Sequence, residues 1–444
     1  MAIPIPAPDP MDIPEAGPSD HAARYAVSET LSAHNRAVTA LRFSNDGSTL
    51  VSAGADGWLH VWDPETGDHV RGFKCHKTGI NDISISPDSL YIATASDDST
   101  SLIHHLHPPP HPLSQTQHPL DPDSNTNTFP STSSSSSPTP QPLRVLASHT
   151  APILSLAFSP KSNLLVTGSF DESAIIWDVR RGKPLRVLPA HADAIWCVGW
   201  DGEGGMVLTA SADGLIRLWD ASSGQCLKTI DNDTNSPVSF ASFTSSSYFL
   251  ISATLSSTLR IYNIHTSKVL KTLRAPGTYT SEKFPCPAIV FAAPCRLPSD
   301  SHSNGSGKGG NDNGNPEGQE MDIDDHVGAG DGNESGGSAV RGNQSNDQMQ
   351  VDGEGALTST LKHSRTKTKA DAWIVTGSEN GKLVIFDLQS KRVVQVLQGA
   401  EEHRSAVVAV AVHPSGRIIA SGSLEPEKSI KLWRIDDNAG AEVT

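Results

Sequence analysis

A 42-residue period constrains this chain more than any other feature. The stretch from His149 to Asp220 contains two runs, HTAPILSLAFSPKSNLLVTGSFDESAIIWD and HADAIWCVGWDGEGGMVLTASADGLIRLWD. Each opens on His, alternates apolar and polar residues, turns, alternates again, reaches an Asp, and six residues later meets Trp-Asp. His149 and His191 are 42 residues apart, as are Trp177 and Trp219. Alternation with a period of two marks strands with one buried face, and the Gly, Asn, Asp and Ser clusters between them mark hairpin turns. A four-stranded sheet of this size cannot bury its apolar faces alone. It must stack on copies of itself, which predicts a radial all-β array.

Laid along the chain, the same ruler finds seven repeats. In the first, strands are predicted at Val38–Phe43, Thr49–Gly54, Trp58–Trp62 and His69–Phe73, with turns at SNDG, ADG and PETG. His34, Ser52, Asp56 and Trp62 fall where a buried polar set would lock the blade corner. The third and fourth repeats repeat that set as His149, Thr167, Asp171, Trp177 and His191, Thr209, Asp213, Trp219. Such groups are tolerated inside only when they satisfy one another, so they read as structural rather than catalytic. The second repeat opens at His76 and keeps Thr94 and Asp98, with His104 in the Trp position. The fifth has Ser256 for the Asp and Tyr262 for the Trp. The sixth starts a strand at Ala288–Ala293 and resumes at WIVTGSENGKLVIFD, with Phe386 in the Trp position. The seventh runs from His403 to Trp433 and lacks a fourth strand. YAVSETL, Tyr25–Leu31, is an orphan strand at the other end. Pairing the two closes the ring and hides the edges of an open sheet.

Composition divides the rest. Residues 1–24 are expected to be a disordered tail, with the propeller over 25–436 and a short tail at 437–444. Two inserts interrupt it, a Pro/Ser/His tract at 107–142 in the second blade and an acidic one at 296–370 in the sixth. Gly309 to Glu354 holds 11 acidic residues and one basic, Arg341, so most of the chain's net charge of −15 sits there. The remainder is only mildly acidic and shows no basic face of the kind nucleic-acid binding needs. Cys75, Cys197, Cys226, Cys286 and Cys295 are scattered without a C-x-x-C, which reads as reduced thiols inside a cell. The N-terminus lacks the basic and apolar regions of a secretory signal, and no apolar run approaches a membrane span. His104, His105, His107, His111 and His118 could ligate a metal, but lie in a tract without fixed geometry. No metal or cofactor is expected. MDIDD lacks the spacing and glycine of a calcium loop. Lys362, Arg365, Lys367 and Lys369 form a weak nuclear-localisation candidate.

The repeats resemble WD40 blades, and so imply a seven-bladed WD40 β-propeller. GSFDES, LPAHAD, DGLIRLWDASSGQCLKT, PVSF, DLQ and SIKLW further resemble the WD-repeat scaffold subunit of COMPASS/MLL histone H3 lysine 4 methyltransferase complexes. That resemblance implies a nuclear, monomeric, non-catalytic propeller. It would hold the SET-domain methyltransferase to a neighbouring β-propeller subunit, with the histone H3 tail as a further partner. It also implies a central channel for an Arg-containing peptide. Ala37, Ala55, Gly79, Asp97, Ser239 and Leu424 match that channel's pattern. Asn81 stands for a Ser and Phe284 for a Tyr. Leu154, Trp196 and Ala212 depart further. Leu154 replaces one of two Phe rings that would sandwich the guanidinium, and Pro287 or Ala288 lies near the other. Without those π faces the channel is expected to persist but to hold Arg weakly. On the opposite side the resemblance implies a second partner groove at Phe249, Lys271, Leu388 and Gln389.

Two other classes compete. An enzyme would need a G-x-S-x-G, a Gly-rich phosphate loop or an H-E-x-x-H, and none occurs. A cullin-4 ubiquitin-ligase receptor is suggested by Trp177-Asp178-x-Arg180, which resembles the W-D-x-R box of such receptors.

Overall fold

In the computed structural model, residues 24–107, 140–232, 235–294, 372–398 and 403–435 are described. Both expected tails and nearly all of the two inserts lie outside them, as does the second compact unit, Leu297–Thr368. His111 and His118, Cys295, and the basic cluster Lys362–Lys369 fall outside the described residues too.

The described chain forms 28 strands in seven antiparallel sheets of four, with no helix among the described residues. Within a blade the strands run from innermost a to outermost d in chain order. In blade 1 these are Val38–Phe43, Leu50–Gly54, Trp58–Trp62 and His69–Lys74. Thr49, expected inside strand b, instead closes the preceding turn. Its N–H donates to Ser44 Oγ and its carbonyl accepts from the Ser44 N–H. In blade 6 strand a ends at Ala292, one residue short of the expectation. Blade 2 has the shortest outer strand, Arg144–Leu146.

The apolar faces pack blade on blade. Ala40, Val51 and Leu59 of blade 1 meet Ile80, Ile83 and Ile92 of blade 2 in one cluster. An equivalent cluster lies at every other boundary, including that between blades 7 and 1, where Ile418 and Leu432 meet Val38, Leu41 and Trp62. Fully burying one such side chain contributes about 2 kcal/mol, so the stack of boundaries is the main source of stability. The ring closes through Tyr25–Leu31, which pairs antiparallel with Ile430–Ile435 as the outermost strand of blade 7.

Candidate functional site

The blade corners bind the recurrent histidines to carboxylates. In blade 4, His191 Nδ1 is 2.9 Å from Asp213 Oδ2 and its Nε2 is 2.8 Å from Thr209 Oγ1. Trp219 Nε1 donates to the same Oγ1 at 2.9 Å. One arrangement satisfies every group: indole N–H to threonine oxygen, threonine O–H to the histidine, and histidine Nδ1–H to the carboxylate. Blade 3 repeats it through His149, Thr167, Asp171 and Trp177, and blade 1 through His34, Ser52, Asp56 and Trp62. Burial resists the charge on Asp56, but the bonds from His34 and two backbone amides hold its pKa at about 2.

Blade 7 builds the corner from a residue sequence reasoning missed. His403 bonds Ser421 at 2.8 Å, and Glu427 at 3.1 Å takes the place of the Asp. The b–c turn is two residues longer here, so the carboxylate sits 24 rather than 22 residues after the His, on a longer side chain. Blade 2 lacks the indole. His104 fills the Trp position fully buried, and neither ring nitrogen has a partner among the described residues. Tyr262 and Phe386 fill the same slot in blades 5 and 6 without any bond to it.

A second recurrent contact, also missed, ties each blade to the next. The residue of strand d opposite the position before the Trp reaches across to the c–d turn of the following blade. Arg71 donates to His105 O, Arg144 to Arg180 O, Arg186 to Ser222 O, and Lys228 to Ile264 O and His265 O. Lys271 donates to Leu388 O and Gln389 O, and Gln395 brackets the Tyr25 backbone. Arg434 completes the circuit on Pro64 O and Glu65 O. The structure thus brings Lys271, Leu388 and Gln389 together, but with the ammonium spent on backbone carbonyls. Phe249 lies on the same blade as Lys271, at the exposed start of strand b.

The channel mouth is made by bulges. In six blades the register of strand a shifts at its second residue. A bulge re-aims one side chain, and here the six are Thr39, Asn81, Leu154, Trp196, Ser239 and Val408. All six line one central cavity of about 300 Å³. Blade 6 has no such shift and contributes Pro285 and Pro287 from the preceding loop. Glu379 fixes that loop by accepting the backbone N–H groups of Glu282, Lys283 and Phe284. Burial raises its pKa, yet the three amides hold it below the usual carboxylate range.

Around the mouth, in every blade but the sixth, the b–c turn begins with a residue whose N–H is bonded to the carbonyl just before strand a. Ala55 bonds Ala37, Asp97 bonds Gly79, Phe170 bonds Pro152, Ala212 bonds Ala194, and Leu424 bonds Ala406. The predicted residues therefore divide. Asn81, Leu154, Trp196 and Ser239 line the cavity. Ala55, Asp97, Ala212 and Leu424 form the turn ring, Ala37 and Gly79 support it, and Phe284 lies on the loop, 40% exposed. Thr39, Val408 and Phe170 were missed, although Phe170 is 59% exposed on the ring. The signal was a constant offset. Bulge residues lie five positions after the opening His and ring residues 21 positions after it.

Asn81 Nδ2 donates to Asp97 Oδ1 at 2.7 Å and to Ile153 O at 2.9 Å. Thr39 and Ser239 spend their hydroxyl protons on carbonyls. The mouth therefore offers acceptors, among them exposed Asp97, beside the apolar surfaces of Leu154, Trp196 and the two prolines. Deeper down, the negative charge of Asp82 is offset by Arg42 at 2.8 Å and shared with Ser155 Oγ at 3.0 Å. Of the W-D-x-R residues, Trp177 is buried in its corner, Asp178 caps its own turn by accepting from Arg181, and only Arg180 is exposed. The three described members of the histidine tract do not converge. His104 faces the core against Phe73, His105 lies against Tyr91 and His107 lies near Thr49.

A closed ring of seven sheets, with its histidines bonded into corners and an open acceptor-lined mouth, defines a β-propeller of the interaction-scaffold class, generally non-catalytic. The WD domain, G-beta repeat family model matches residues 26–63, 67–104, 140–178, 182–220, 224–263 and 392–434, more than half of the chain. The chain belongs to that WD40 family. WD repeat-containing protein 1 of Bos taurus is 46% identical over 77 residues, 17% of this chain and 13% of that protein. Nuclear distribution protein PAC1 of Arthroderma otae is 36% identical over 90 residues, 18% of this chain and 20% of the relative. Protein hir1 of Emericella nidulans is 33% identical over 97 residues, 19% and 9% respectively. The chain thus spans only a small part of these relatives, and none of the three bears the name of a methyltransferase-complex subunit.

Proposed function

We propose that this chain is the non-catalytic WD40 scaffold of a COMPASS-like histone H3 lysine 4 methyltransferase complex, acting in the nucleus. It would join a SET-domain subunit at the channel mouth to a neighbouring β-propeller subunit at the opposite groove. The observation that carries the reading is the pairing of Asn81 with Asp97, which orients an exposed carboxylate at the rim of an apolar-walled channel. That is the chemistry a cationic partner side chain requires. Leu154 in place of an aromatic ring makes the expected grip on arginine weak, with a Kd above about 1 μM.

The test is affinity purification of the tagged full chain from nuclear extract, followed by mass spectrometry. Recovery of SET-domain and β-propeller subunits, lost with Asp97→Ala or Leu388→Asp, supports the proposal. Recovery of a cullin-4 adaptor, lost with Arg180→Ala, supports the W-D-x-R alternative instead. Recovery of neither set overturns both.

A further inference from the structure

Independently of that reading, we propose that the cleft between blades 2 and 3 is a docking site for an acidic peptide carrying an apolar side chain. The cleft, about 440 Å³, is lined by Tyr91, Ile103, Leu143 and Val179 on its apolar side and by Arg144 and Arg180 on its charged side. Its opening follows from the shortness of the outer strand of blade 2. In blades 1, 3 and 4 the residue in the Trp position pairs with strand d. In blade 2 the pairing stops at Ile103, and His104 and His105 have no outer partner among the described residues.

The charge arrangement is peculiar to this boundary. At every clamp a strand-d or neighbouring side chain grips the c–d turn of the next blade. The residue three positions after the Trp site in those turns is Glu65, Ser222, His265 or Gln389 at four other boundaries. Here alone it is an arginine. Arg144 Nε and Nη2 both donate to Arg180 O, at 3.0 and 2.7 Å, and its third bond is to Leu143 O. Gly182, at φ +65°, leaves room for the Arg144 stem, where an added Cβ would lie 2.9 Å from Arg144 Cδ. One guanidinium is thus fixed beside the backbone that bears the other. Neither has an ion-pair partner among the described residues, and the nearby Asp178 is engaged by Arg181. Two cationic side chains at one cleft without a carboxylate partner among the described residues present a charge that an anionic ligand would complement. The exposed Lys161 adjoins the lining Ser162 in sequence, and the exposed Leu90 adjoins Tyr91.

The test measures fluorescence anisotropy of a labelled octapeptide, three acidic residues on either side of Leu-Phe, on the full chain. Binding is expected to weaken about tenfold in Arg180→Glu and to be kept in Arg180→Lys. It should fall about fivefold when Ser-Ser replaces Leu-Phe and stay unchanged in Asp97→Ala, which touches only the channel. Arg180 makes no side-chain bond, so its variants should melt as the parent does. Equal binding of a lysine-for-acid peptide, or no effect of Arg180→Glu, overturns the proposal. So does concentration-dependent self-association that competes with the peptide, which would make a second copy the occupant.

Discussion

At the scale of single residues, the corners show how polar groups are kept inside a β stack. Thr209 serves Trp219 and His191 together, so Thr209→Val strands two buried polar groups while preserving shape. It should cost about 3 kcal/mol in urea unfolding. His104 is the converse case, a polar ring in an apolar slot with no partner. His104→Trp places an indole N–H near Thr94, already bonded to His76 at 2.7 Å, and should raise stability by about 1 kcal/mol. Burial depresses the pKa of His104 and of His403 to about 4. Both are neutral in the native state, whereas the unfolded chain takes up their protons near 6.5. Their contribution is therefore whole above that value and is lost as pH falls toward 4, at roughly 1 kcal/mol per pH unit for each. Asp56 adds a second loss between the normal carboxylate range and about 2. Urea midpoints taken from pH 7 to pH 4 should fall, and His104→Trp should flatten the slope. The corners of blades 1, 3 and 4 were legible in the sequence because His, Ser or Thr, Asp and Trp recur at fixed spacing. Glu427 was not, because an enlarged turn moved it out of phase.

At the scale of elements, the bulge and the clamp decide what each blade presents. The alternation of strand a places residues on two faces, but only the bulge turns a third direction, into the channel. That is why Trp196 and Leu154, on well-preserved blades, face the mouth while their neighbours pack in the core. The clamp recasts Lys271. Its ammonium secures blade 6 to blade 5, so Lys271→Met should lower stability by about 1 kcal/mol, measured by thermal unfolding. Gln389→Ala, exposed on the same turn, should leave stability within about 0.5 kcal/mol. A change in partner recovery without a change in stability would then belong to Gln389, Leu388 or Phe249. The basic residue of strand d recurs with the blade period, visible as LR, LR, LK and LK before the end of the strand. Its role was hidden because its partner is a backbone carbonyl of the next blade, which has no side-chain signature.

At the scale of the whole molecule, closure joins two ends that lie about 400 residues apart in sequence. Tyr25 is buried, its hydroxyl donates to Gly416 O, and Gln395 holds its backbone. Tyr25→Ala should cost about 3–5 kcal/mol. A chain begun at Ser32 should expose the edge of Ile430–Ile435 and self-associate on light scattering. The closing boundary is built differently from the rest. Glu29 occupies the strand-d position that carries a cation in blades 1 to 5, and Arg434 of strand c supplies the grip instead. The sequence by itself determined the blade, the number of blades, the corners and the pairing of first strand with last. These follow from local alternation and from a period that a radial stack must obey. Only the tertiary structure decided that Thr39 and Val408 share the channel mouth with the residues read from the sequence, that Lys271 is a clamp, and that Arg144 grips the Arg180 backbone beside an open cleft. Those depend on register shifts and on contacts between neighbouring blades: a bulge is marked only by a position and not by a residue type, and a carbonyl acceptor leaves no mark in the residue pattern.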